Sequence, residues 1–184
     1  MSPAPVKSAL LNCVESVIHH YMSQDAIKTL TSAFVLSRID CCNSLLTGCP
    51  KQLIHKLQKV QNNAARLTCQ TPKSYHISPV LYTFHWLPVE QRIEYKLLLL
   101  AFISVNNDGP LYLSDLLNIP SQQLRSSSDS CLPHIPSSNL KSLGQHKFSY
   151  QASVLWNSLL ISLHHSNSTS AFRSAVKTHL FPSR

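Results

Sequence analysis

Six cysteines and ten histidines are the raw material for chemistry in this chain of 184 residues, and three of the cysteines crowd into one stretch, SRIDCCNSLLTGCP at 37–50. Cys41, Cys42 and Cys49 pose a choice between a metal knuckle, a disulfide staple and a helix end that carries thiols. A zinc knuckle needs two to four residues between paired ligands so that both reach one ion. Cys41 and Cys42 are adjacent, which on a helix turns them about 100° apart, and six residues separate Cys42 from Cys49. Adding His55, Cys69 and His76 produces no knuckle spacing either. The start, MSPAPVKSALLNC, lacks a charged region followed by a sustained apolar run. No secretory route is therefore expected, and thiols outside that route stay reduced. The reading that remains makes Cys41 a small hydrophobe on a helix stripe and puts Cys49 just beyond the glycine that stops the helix.

Catalytic groups fare no better. There is no G-x-S-x-G elbow, and three glycines at 48, 109 and 144 build no phosphate-cradling loop. Asp25, Asp40, Asp108, Asp115 and Asp129 never pair, whereas two-metal phosphoryl transfer needs clustered carboxylates. The expectation is a non-enzyme with no catalytic residue, no metal, no cofactor and no small-molecule substrate.

Charge is more informative. Sixteen basic residues against eight acidic ones give a net charge of +8, which favours an anionic partner. Positions 41–89 hold no Asp or Glu but carry Lys51, Lys56, Lys59, Arg66 and Lys73. Residues 130–184 are also acid-free and carry Lys141, Lys147, Arg173, Lys177 and Arg184. Only 13% of residues are charged, about half the globular norm. Polar uncharged side chains must dress much of the surface, leaving part of it apolar and suited to another domain. The longest apolar run, LLLLAFI at 97–103, is far short of a membrane span, so no membrane partner is expected.

The periodicity predicts a mainly α chain. Ser23 or Asp25 suits the cap of a helix through AIKTLTSAFVLSRIDCCNSLL, with Ile27, Leu30, Phe34, Cys41 and Leu45 on one stripe and Gly48 ending it. Pro50 then fits the start of a helix over 50–68. Leu53, Leu57, Val60, Ala64 and Leu67 form its apolar stripe, while Lys56, Lys59, Asn63 and Arg66 share a flanking face, with Lys51 one turn earlier. Pro72 and Pro79 in TPKSYHISP exclude a continuous helix. Pro88 suits the next start, with Glu90 in the positive first turn, and the helix should run to about Val105 and end at NNDGP. Its Leu97–Leu100 run is apolar almost all round and belongs at a buried centre. Phe148–Leu160 with Trp156, and Thr169–Phe181 with Phe172, Val176 and Leu180 on one side, read as two further helices. The expected layout is a weakly ordered extension at 1–19, a small helical bundle at 20–117, a Ser/Pro-rich linker at 118–139 and a short basic helical segment at 140–184. Tyr75, Tyr82, Phe84, Trp86 and Tyr95 interleave with basic residues, as base-stacking side chains do. Core or interface packing is the commoner use of such aromatics, and Trp86 is the one most suited to it.

Five stretches occur in a telling order and spacing: AFVLSRIDCCNSLLTGCPKQLIHKLQKVQNNAARL, SPVLYTFHWLPVEQRIEYKLLLL, GPLYLSDLL, LWNSL and STSAFRSAVKTHLF. Together they resemble the C-terminal portion of LINE-type, jockey-like non-LTR retrotransposon reverse transcriptases, over about residues 20–182. The resemblance implies a thumb-like and post-thumb bundle, the part that follows the polymerase palm and cradles the template–primer duplex. It also implies an RNA, DNA or RNA–DNA hybrid partner held through phosphates, a missing polymerase domain, and a nuclear rather than merely cytoplasmic location. It implies no catalysis, because the family's paired-aspartate motif and endonuclease have no counterpart in these residues. The chain departs from the family at Cys41-Cys42-Asn43, where an aromatic, Tyr-Cys-Asn, is usual, and at the diluted LKSLGQHKF, where a more basic stretch is usual. Lys51, Lys56, Lys59, Arg66 and Lys73 are the expected phosphate contacts. The alternative is a remnant without function, whose apolar faces once packed on the palm.

Overall fold

The computed structural model describes residues 20–117, 133–137, 147–166 and 168–181. The chain is mainly α, a small helical bundle, with no strand among the described residues. It divides into two compact units, Met1–Cys41 with His55–Pro88, and Cys42–Ile54 with Val89–Arg184. The expected extension at 1–19, most of the expected linker, and residues 138–146 and 182–184 lie outside the described residues.

In the first unit, Ser23 caps helix α1 (Gln24–Thr31), its Oγ accepting from the Ala26 N–H at 3.3 Å, with Asp25 in the first turn. The single long stripe predicted beyond this point does not form. The buried residues are Ile27, Thr31, Leu36 and Ile39, at steps of four, five and three. The step of five is a π-helical turn, Ser32–Leu36, in which the Ser37 N–H bonds to the Ser32 carbonyl. One inserted residue rotates everything after it by about 100°. Phe34, inside that turn, is 72% exposed, and Leu30, which precedes the turn, also lies off the buried side set by Ile27 and Thr31. The Ser37 hydroxyl donates to the Ala33 carbonyl within the same turn. Helix α2 (Ser37–Asp40) follows and stops well before Gly48, because Cys41 is extended and Cys42 is left-handed at φ 53. Cys41 is exposed rather than part of a buried stripe. Leu45, on the 3-10 turn Asn43–Leu46, is 79% exposed.

Helix α3 (Lys51–Cys69) matches its predicted span but not its predicted stripe. Its buried residues are Gln61, Ala64, Ala65 and Thr68, while Leu53 and Val60 stay exposed. The buried face is turned about 70° from the apolar one, and polar partners explain why. The Gln61 amide donates to the Leu87 carbonyl at 2.8 Å. The Thr68 hydroxyl donates to the Ala64 carbonyl at 3.0 Å and lies 3.2 Å from that of Thr31. A buried polar group with its bonds made costs little, so these residues take core positions that leucines were expected to fill. Pro79 opens a short helix, α4 (Ser78–Thr83), which the sequence left as part of the break.

The second unit is built on α5 (Val89–Val105). Of the Leu97–Leu100 run, Leu97, Leu98 and Leu99 are buried as expected and Leu100 is partly so, and Ala101 and Phe102 are buried with them. Helix α6 (Leu111–Leu116) follows, and the Ser114 hydroxyl donates to the Ser104 carbonyl at 2.9 Å. Gly109 approaches α5 so closely that a Cβ there would lie 2.7 Å from Ile103 Cγ2. The described part of residues 140–184, expected as a separate basic segment, supplies the other half of this core. Helices α7 (Phe148–Ser158), α8 (Ile161–His164) and α9 (Thr169–Leu180) bring Trp156, Phe172 and Val176 onto Leu98, Leu99 and Phe102. Phe102 and Phe172 stack with centroids 4.1 Å apart, and Trp156 lies 5.9 Å from Phe172. The basic residues Arg173 and Lys177 are exposed.

Helices α3, α4 and α5 end alike. Gln70, His85 and Asn107 are left-handed, at φ 51, 54 and 57. The following N–H reaches back five residues each time: Thr71 to Arg66, Trp86 to Leu81 and Asp108 to Ile103. These are Schellman closures with no glycine at the left-handed position, an arrangement that costs about 1 kcal/mol each and is offset by satisfied carbonyls.

On α5, partial burial pushes the Glu94 carboxyl above its ordinary range, and Glu90 one turn earlier adds to the rise. A carboxyl that holds its proton more tightly when folded stabilises the fold in acid, and that contribution is lost as pH rises through the folded-state value. Glu94→Gln should therefore melt higher than wild type at pH 7. The difference should close below about pH 4, where both proteins are neutral at this site. Paired thermal melts across pH check this, and a constant offset at every pH would contradict it.

Candidate nucleic-acid interface

The acid-free stretch becomes one helix and the loop that follows it. Gln61 and its buried neighbours hold one side of α3 inward, which leaves the opposite side in solvent. Lys56, Lys59 and Asn63 all lie exposed on that opposite side, rather than on a flank of the buried stripe. No aspartate or glutamate follows in this unit up to Pro88. Lys51 is exposed at the first residue of α3, whose first turn belongs to the second unit. His55 is exposed one turn before Lys59 and joins the basic face. Sequence reasoning had considered it only as a metal ligand, although its spacing from Lys59 was a readable signal.

Arg66 departs from its expected place among the exposed cations. It is half-buried, and its Nη2 donates to the Tyr75 carbonyl at 2.9 Å, with the Lys73 carbonyl at 3.5 Å. Its Nε is buried without an acceptor. The guanidinium thus clasps the 72–76 loop against the end of the basic face. Within that loop the Tyr75 N–H bonds to the Pro72 carbonyl at 3.0 Å. Lys73, Tyr75 and His76 are exposed on it. The structure therefore brings together Lys56, Lys59, Arg66 and Lys73, with Arg66 in the positioning role.

The other aromatics divide by burial. Trp86 is buried, and Phe84 packs on it at 5.0 Å with the Lys28 ammonium 5.0 Å over its ring. Tyr95 is half-buried in the second unit, where burial raises its phenol pKa against the opposing pull of Arg173. Tyr75 and Tyr82 are the exposed ones.

The four described thiols form no centre. Cys41 and Cys42 are exposed, Cys49 and Cys69 half-buried, and none of the four is in a disulfide. Burial pushes the Cys69 thiol up, opposed by a Gln24 hydrogen bond and the Lys28 charge, so it is a weak nucleophile. Among the described residues no group of three or more His, Cys, Asp or Glu side chains is arranged to hold a metal ion. Nor is any described helix long and apolar enough to cross a membrane. What the surface offers is a row of ammonium groups on a rigid rod, beside a pinned loop with an exposed phenol. No family model, curated protein or solved structure matches this chain.

Proposed function

We propose that the chain is a non-catalytic module that grips nucleic-acid phosphates without reading sequence, corresponding to the C-terminal region of a LINE-type, jockey-like reverse transcriptase. The observation that carries this reading is the exposed face of Lys56 and Lys59 on α3, opposite the buried side and clear of any acid from 41 to 89. Lys73 extends the face, and Arg66 adds charge while it holds the loop. Ammonium groups meet phosphates as point charges, which positions a strand without selecting bases. The test is fluorescence anisotropy with a labelled RNA–DNA hybrid over a range of salt. Three lysines and the half-covered arginine give log K against log salt a slope of about −3 to −4. That is shallower than the −4 to −5 of five open contacts. A slope near zero overturns the proposal.

A second reading has its own observation. In the second unit Leu111, Tyr112, Leu160 and Ile161 are well exposed, and apolar surface of this kind suits a lost neighbour such as a polymerase palm. On that reading the chain is a relic that associates through those faces. A monodisperse sample with a cooperative melt and salt-sensitive binding would exclude it.

A further inference from the structure

We infer that Tyr75 is a stacking platform for an unpaired base, so that the α3 face takes single-stranded nucleic acid in preference to a continuous duplex. The inference rests on the phosphate-binding reading above and names the ligand class for that same face.

A useful stacking side chain needs an open ring on an ordered backbone beside a phosphate track. Tyr75 meets these requirements together. The residue is 54% exposed. Its carbonyl is held by Arg66 and its N–H by the Pro72 carbonyl, so both backbone polar groups are committed. Pro72 fixes its own φ, and the Thr71 N–H closes α3 onto the Arg66 carbonyl, so the loop leaves the helix in one direction. Little conformational entropy remains to be lost when a base lands on the ring.

The clasp sets the location. Arg66 lies on the same exposed side of α3 as Lys59, two turns further along. The ten residue steps from Lys56 to Arg66 span about 15 Å, room for more than one phosphate of a single strand. Tyr75 stands where that track ends, with exposed Lys73 and His76 on either side. Phe84 and Trp86 are engaged with each other and Tyr95 is half-buried, so this is the open ring of the pinned loop. Bases inside a duplex have both faces covered by neighbours. A ring on a rigid loop therefore gains nothing from a continuous duplex and gains a stack from a single strand.

The experiment compares native protein with Tyr75→Ala and Tyr75→Phe, using a labelled single strand of about fifteen nucleotides and the blunt duplex of the same length. The native chain should bind the single strand more tightly. Tyr75→Ala should weaken single-strand binding by about five-fold or more and leave the duplex and both salt slopes nearly unchanged. Tyr75→Phe, which keeps the ring, should retain single-strand binding. Equal losses on both ligands would make Tyr75 a scaffold residue and overturn the inference, as would no loss on either. If the native chain bound neither ligand in a salt-dependent way, the phosphate reading would fail first, and the inference with it.

Discussion

Replacing Phe172 with alanine is expected to cost about 3–5 kcal/mol, the usual range for removing a buried aromatic ring. The ring is 1% exposed and stacks on Phe102, with Trp156 on another side. Its removal leaves a void bounded by two large rings that sit on separate helices and cannot collapse together easily. Helix α9 has 12 residues, too few to persist alone in water. Its other buried anchor is Val176, with Leu180 partly covered. A domain of this size is stable by about 5–15 kcal/mol, so this one substitution would remove much of the margin. Arg173→Ala, at the neighbouring exposed position, should change stability by no more than about 0.5 kcal/mol. Urea melts of the two variants, followed by tryptophan fluorescence, give the comparison. A loss below about 1 kcal/mol for Phe172→Ala would mean that α9 does not seal this core.

That core also marks what a linear reading sees and what it misses. Leu97–Leu100 announced a buried helix because no rotation of that segment exposes polar groups, and Phe172, Val176 and Leu180 were legible as one-sided apolar positions. Their meeting on α5 was not legible, because the predicted linker at 118–139 looked like a boundary, and composition carries no record of which segments dock. The first unit failed differently. A π turn put Phe34 out of line and the backbone break at Cys41–Cys42 took Cys41 and Leu45 off the helix, and neither changes any residue's character, so the stripe kept its spacing on paper and lost it in space. Gln61 and Thr68 had no place in the predicted stripe, whereas their hydrogen bonds to Leu87, Ala64 and Thr31 bring them inside. Helix ends were read from Gly48, from the prolines of TPKSYHISP and from NNDGP, yet Gln70, His85 and Asn107 take the left-handed position. The basic face survived these errors because exposed lysines avoid burial whichever way the helix is turned. Arg66 did not, since only the folded chain shows a carbonyl within its reach.

Reversing two charges on that face, Lys56→Glu with Lys59→Glu, is expected to lower affinity for the RNA–DNA hybrid by about 100-fold or more at low salt. Two phosphate contacts are lost, which alone flattens the salt slope by about 2. Each new carboxylate then repels the strand that the ammonium had attracted, and this second effect is largest where screening is weakest. The fold should tolerate the change, because both side chains are exposed on the side of α3 opposite Gln61, Ala65 and Thr68. An unchanged melting curve is therefore part of the expected result. Net charge alone would also weaken binding, so the informative comparison is a second double reversal with the same total change. Lys147→Glu with Lys177→Glu serves, since both lysines are exposed and both lie in the second unit. If binding needs the α3 face, this pair should cost no more than a few-fold and keep the steep slope, because a change in net charge away from the contacted phosphates is screened by salt and removes no contact. Equal losses from the two pairs would mean that the chain attracts nucleic acid by its overall positive charge and that α3 has no special part in holding it.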